Sequence, residues 1–130
     1  MAAMTITDES ASGQVRDSWL LSGLPDQVSV REIIRTRVRE EVARFNLGDR
    51  TVFSGLVQPT ETEIVANGYR LTRRRTLDWE RQAEIAESSF LANGFFMLID
   101  DRQVESLDDL VDLRADPKVS FIKLVQLVGG

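Results

Sequence analysis

The chain contains neither cysteine nor histidine. Disulfides, thiolate nucleophiles, the usual zinc ligands and the side chain best suited to proton transfer at neutral pH are therefore all missing. An enzyme built on carboxylates survives this exclusion, but hydrolase or transferase chemistry carried by the chain itself becomes a poor fit, and none is expected. Lysine is nearly absent: Lys118 and Lys123 stand against fourteen arginines. A GC-rich genome explains that bias; a scarcity of amines open to modification is the functional alternative. No apolar run approaches the roughly 20 residues that span a bilayer. The start, Met1-Ala2-Ala3-Met4, has none of the charged and apolar regions of a signal peptide, so a cytoplasmic location and no membrane partner are expected. The formal net charge of −5 argues against nucleic acid as a partner, because phosphate binding needs a basic surface.

What is present is ordinary for one globular domain: 130 residues, 42% apolar and 28% charged, enough for a hydrophobic core. Met4-Thr5-Ile6-Thr7 alternates as a short strand, and Val15–Leu21 reads as its hairpin partner, ended by Gly23 and Pro25. Ser29-Val30-Arg31-Glu32 has the spacing of a capping box, flanked by Val28 and Ile33 as a hydrophobic staple. The stripe Val30, Ile34, Val38, Val42 and Phe45 then predicts a helix over about 30–46, with Arg31, Arg35, Arg39 and Glu40 on the wet side and Gly48 as the stop.

Residues 49–76 are mixed. Thr51-Val52-Phe53 suits a short strand. Asn67-Gly68 ends a short helix or makes a tight hairpin turn between Glu63-Ile64-Val65 and Tyr69-Arg70-Leu71; both remain open. A second helix starts at Thr76 or Asp78, carries Trp79, Ala83, Ala86 and Phe90 on one face, and stops at Asn93-Gly94. Phe95–Ile99 is a buried strand, Asp100-Asp101 a turn, and Gln103-Val104 a brief return strand. Leu107, Leu110 and Leu113 suggest a helical turn. Asp116-Pro117 turns the chain into a last strand over Val119–Val128. Runs of strands around one early helix predict an α+β domain with a mixed sheet.

Hairpin, capped helix, strand, brief strand and last strand is also the order of the β-grasp fold, and the final third resembles ubiquitin more closely. Phe96-Met97-Leu98-Ile99-Asp100-Asp101-Arg102-Gln103-Val104-Glu105 is similar to ubiquitin's Arg-Leu-Ile-Phe-Ala-Gly-Lys-Gln-Leu-Glu. Leu110 matches a core leucine, and the spacing runs without a gap from Phe96 to the closing Gly129-Gly130. A chance Gly-Gly end occurs in about 0.5% of chains, with glycine at about 7% of residues; the strand ahead of it and the kept spacing add the weight. The resemblance covers about residues 4–46 and 95–130, leaving 49–94 as an insertion in a single ubiquitin-like domain of residues 1–130, with the sheet packed on one helix and a second helix in the insertion.

The resemblance implies a protein modifier, of a kind found in bacteria and sometimes in anti-phage systems. Its Gly130 carboxylate would be adenylated, passed to a sulfur nucleophile of a partner and conjugated to target proteins. Glycine suits this, having no side chain to obstruct a narrow adenylation site. The implied partners are an E1-like activating enzyme, an E2-like conjugating enzyme and a JAB-type deconjugating peptidase. No cofactor or metal is implied. Gln126, Leu127 and Val128 form the tail that the activating enzyme would read. Gln126 and Val128 stand where ubiquitin has arginine, so a dedicated enzyme is expected. Leu98 and Leu124 match two residues of ubiquitin's hydrophobic recognition patch; packing against the inserted Trp79/Phe90 helix is the competing assignment. Lys123 falls where ubiquitin buries a leucine, which requires a shifted strand or a buried lysine stem. With two lysines, mono-modification is expected over polymers. A sulfur carrier forming a terminal thiocarboxylate and a β-grasp interaction module that is never activated are the other readings. Arg73-Arg74-Arg75 suits an acidic partner or a solvated loop, and Asp100-Asp101 and Asp108-Asp109 suit a cation or solvated turns.

Overall fold

A computed structural model describes residues 2–47, 52–53, 56, 62–65, 68–71 and 77–123. The elements in chain order are β1 (Ala2–Glu9), β2 (Val15–Leu24), β3 (Gln27–Ser29), α1 (Val30–Leu47), β4 (Val52–Phe53), β5 (Thr62–Val65), β6 (Gly68–Leu71), α2 (Trp79–Leu91), β7 (Phe95–Ile99), β8 (Arg102–Val104), β9 (Leu110–Asp112), a 3-10 turn (Leu113–Ala115) and β10 (Val119–Lys123). The chain is α+β, with two helices and a mixed five-stranded sheet among the described residues. It divides into two compact units, one of Met1–Val30 with Ser89–Gly130 and the other of Arg31–Ser88.

The first unit carries the sheet, ordered β2-β1-β10-β7-β8. β1 and β10 run parallel, Ile6 opposite Val119 and Thr7 opposite Ser120. The other neighbours are antiparallel. Alternation assigns Met4, Ile6, Met97, Val119 and Phe121 to one face, and all five are buried. Phe95 stacks between two other aromatics, its centroid 5.8 Å from Phe90 and 6.0 Å from Phe121, spacings at which tilted rings attract. Asp100 and Asp101 both have positive φ, +50° and +68°, the two-residue hairpin geometry that places Ile99 opposite Arg102. The Asp100 carboxylate accepts a hydrogen bond from Lys118 N–H at 2.9 Å, joining this turn to the entry of β10.

Two expectations change in this unit. The leucine segment at 107–113 is not a helical turn alone. Leu110–Asp112 is a strand, antiparallel to a β3 that the sequence pattern did not announce, with Val28 opposite Val111. The backbone of Gln27–Ser29 offers a ladder that a three-residue apolar spacing cannot reveal. Leu107, Val111 and Leu113 are buried while Leu110 is 70% exposed. The 3-10 turn follows, with the Asp112 side chain capping Arg114 N–H.

The end of α2 lies in the same unit. Asn93 N–H donates to Phe90 C=O at 3.1 Å, and Gly94 N–H to Ser89 C=O at 2.7 Å. With Asn93 at φ +61°, this is a complete Schellman motif. Glycine fits at 94 because a methyl group there would run into the Ser89 hydroxyl, which would have to rotate away.

The second unit holds α1 from Arg31, the small sheet β4-β6-β5 and α2 through Ser88. Of the two alternatives left open at Asn67-Gly68, Thr62–Val65 and Gly68–Leu71 pair as antiparallel strands, and Gly68, opposite Val65, belongs to the second strand and not to the turn. α1 buries its expected stripe, and also Ile33, Arg37 and Glu41. Arg37 is fully buried; its Nε lies 3.3 Å from Glu41 Oε2. That carboxylate oxygen also accepts Leu56 N–H at 3.2 Å. A hydrophobic stripe cannot announce a charged pair one turn apart inside it. The wet side is corrected too: Arg31 and Arg35 are half-covered because both reach Glu87 of α2, at 3.1 and 3.5 Å. The Arg35 and Arg39 guanidiniums lie 5.3 and 5.6 Å from the Trp79 ring centroid, within cation–π range. Asn46 exchanges two hydrogen bonds with the Leu77 backbone, at 3.0 and 3.2 Å, and Asp78 caps α2 through Glu80 N–H at 3.1 Å.

Candidate functional site

Of the residues singled out for chemistry, Leu124, Gln126, Leu127, Val128, Gly129 and Gly130 lie outside the described residues, as do Arg73-Arg74-Arg75. What the structure describes is the strand that leads to the tail. β10 is the middle strand of the sheet and pairs with β7 without a break, from Val119 opposite Ile99 to Lys123 opposite Phe95. The ladder therefore reaches Lys123 without a bulge. Lys123 alternates onto the face of Val119 and Phe121 and is half-buried, the environment of a lysine whose aliphatic stem is covered.

Leu98 lies on the opposite face from Met97. It is half-buried, directly across from Ser120, while Phe96 lies across from Ile122. Phe96, Leu98 and Ile122 thus share the less buried face of the sheet. Ser120 is buried there, its Oγ 3.3 Å from Thr7 Oγ1, which is also 3.1 Å from Glu9 Oε2. Leu98 is thereby seated among strands of its own sheet.

No group of acidic side chains suited to a metal ion occurs among the described residues. Asp100 serves the backbone of Lys118, and Asp101 lies 4.0 Å from Lys118 Nζ. Asp112 is held below the usual carboxylate range by its side-chain hydrogen bonds from Arg114, with the Arg114 backbone N–H and charge adding to the effect. This pair is exposed and stabilises a turn. No helix among the described residues is long and apolar enough to cross a membrane.

Comparison with protein-family models, curated proteins and solved structures yields no significant match.

Proposed function

We propose that this chain is a ubiquitin-like modifier with a β-grasp fold, acting in the cytoplasm as the substrate of partner enzymes. The observation that carries the reading is the sheet order β2-β1-β10-β7-β8, with its parallel β1–β10 pair flanked by antiparallel neighbours. An N-terminal hairpin, then a helix, then strands whose last member enters the middle of the sheet is the β-grasp arrangement. β7 and β8, joined by the Asp100-Asp101 turn, coincide with the ubiquitin-like stretch Phe96–Glu105.

In this reading the Gly130 carboxylate attacks the α-phosphorus of ATP in an E1-like enzyme, releasing pyrophosphate and forming an acyl-adenylate. A cysteine thiolate of the enzyme displaces AMP. An E2-like enzyme carries the thioester onward, and a target amine releases the thiol as the amide forms. A JAB-type peptidase reverses the last bond. Phe96, Leu98 and Ile122, each half-buried, then form a partly open apolar sheet face for partner contact.

The test is incubation with ATP and a candidate E1-like enzyme, followed by non-reducing electrophoresis. A thiol-sensitive adduct that deletion of Gly130 abolishes supports the reading. An oxygen-to-sulfur mass change at the terminus would replace it with a sulfur carrier. Undiminished cellular function after deletion of Gly130 would sink both. The reading also requires a free carboxylate on Gly130, which the intact mass of the protein from its native cells tests.

A further inference from the structure

Two of the chain's glycines follow an asparagine, at Asn67-Gly68 and Asn93-Gly94. Such a step is chemically labile, because no side chain shields the glycine nitrogen from the neighbouring carboxamide. The nitrogen attacks the asparagine Cγ and a nitrogen–carbon bond forms. The carboxamide nitrogen leaves as ammonia, taking the amide hydrogen with it. Water then opens the succinimide at either carbonyl, leaving aspartate or isoaspartate.

Asn93-Gly94 lies where α2 stops and β7 starts. The Asn93 side chain is exposed, so solvent reaches the carboxamide. The Gly94 nitrogen is not free to attack it. Its hydrogen is donated to the Ser89 carbonyl at 2.7 Å, and the attack requires the nitrogen to lose that same hydrogen. Asn93 is held at φ +61° with its own N–H bonded to the Phe90 carbonyl at 3.1 Å. The cap that ends the helix therefore also withholds the nucleophile.

The product cannot rebuild that cap. Isoaspartate puts an extra carbon into the main chain between the two donating N–H groups, so bonds of 3.1 and 2.7 Å cannot both re-form. Either product adds a carboxylate at the C-terminal end of α2. The last turn there carries no basic residue, and the helix dipole disfavours a negative charge at that end. Phe95 follows at once, its ring packed between Phe90 and Phe121, so the loss reaches the start of β7.

We propose that Asn93-Gly94 is a self-modification site held shut by the C-terminal cap of α2. It converts only when the last turn of the helix opens, and conversion to isoaspartate makes the opening permanent. A chain that has opened locally is thereby marked by a chemical change, independently of any reaction at Gly130.

The full chain is kept at neutral pH and physiological temperature, either folded in buffer or unfolded in guanidinium chloride. Mass spectrometry of proteolytic fragments follows deamidation at Asn93, and isoaspartate-specific methyl transfer identifies the product. Amide hydrogen exchange gives the protection of Gly94 N–H in the folded chain. Deamidation is expected to be at least about tenfold slower in the folded chain, an opening free energy of at least about 1.4 kcal/mol. The slowing should match the Gly94 protection factor. Equal rates in the folded and unfolded chains, or rapid deamidation beside a protected Gly94 N–H, overturn the proposal. The isoaspartyl chain, purified after ageing in guanidinium chloride and refolded, is then compared with Asn93→Asp, which carries the charge without the extra carbon. Gly94 N–H should exchange faster in the isoaspartyl chain. Equal exchange in the two overturns the claim that the modification keeps the cap open.

Discussion

Glu41→Ala should be the most damaging single change within α1. Its carboxylate is the acceptor for two donors at once, Arg37 Nε and Leu56 N–H, at 3.3 and 3.2 Å. Arg37 is fully buried and Glu41 nearly so. Removing the carboxylate takes a hydrogen-bonded countercharge away from the buried Arg37 and the acceptor away from Leu56 N–H; breaking a buried pair costs up to about 3–5 kcal/mol. Against a domain stability of about 5–15 kcal/mol, this is a large share. The double variant Arg37→Met with Glu41→Leu separates charge from backbone. An apolar pair of similar volume is often neutral, so the remaining cost is the Leu56 N–H left without its acceptor, about 1–3 kcal/mol. Urea denaturation should be followed by Trp79 fluorescence in a Trp19→Phe background, because the two tryptophans lie in different units. A loss below about 1 kcal/mol for Glu41→Ala, or a double variant as unstable as the single one, would refute the reasoning.

Gly94→Ala should destabilise by about 1 kcal/mol, and Ser89→Ala in the same chain should recover part of it, since the hydroxyl is the nearest obstacle; a thermal-melt double-mutant cycle reads the coupling. Asp101→Gly should stabilise by roughly 0.5–1 kcal/mol in the same melts, because Asp101 occupies φ +68° in a hairpin that glycine adopts freely. Carboxyl NMR titration should show Asp112 ionising below an ordinary aspartate, with Arg114→Ala returning it toward the usual value. The folded value is depressed, so whatever stability the pair gives is present above the unfolded pKa and is lost as pH falls through the folded one.

Legibility followed the range of the interactions. The Asn93-Gly94 stop, the Asp100-Asp101 turn and the strand Phe95–Ile99, of which Phe95 and Met97 are buried, were readable because their determinants are local: backbone conformation, or an unbroken apolar stretch. The helix over 30–46 was readable from its period. β3 was not, because its existence depends on Leu110–Asp112, far along the chain. Nor was the role of Arg31 and Arg35, whose neutral-looking wet face becomes the surface that receives Glu87 and Trp79. The cavity of about 260 Å³ where α2 ends beside β7 and β8 was hidden for the same reason. Phe90, Phe96 and Glu105 belong to three segments, and nothing in their spacing relates them until the sheet is assembled.

The placement of β10 between β1 and β7 has a consequence for synthesis. Thr7 and Ser120 are adjacent in the sheet but 113 positions apart in sequence. Until β10 emerges from the ribosome, β1 with β2 and β7 with β8 are two separate hairpins, each with an open inner edge and a face of unburied side chains such as Ile6 and Met97. Closing so long a loop is slow, and open strand edges invite pairing with other chains. A nascent chain stalled anywhere before Val119 therefore holds most of its apolar strands but cannot unite them, and such truncated products should be favoured clients of chaperones and proteases.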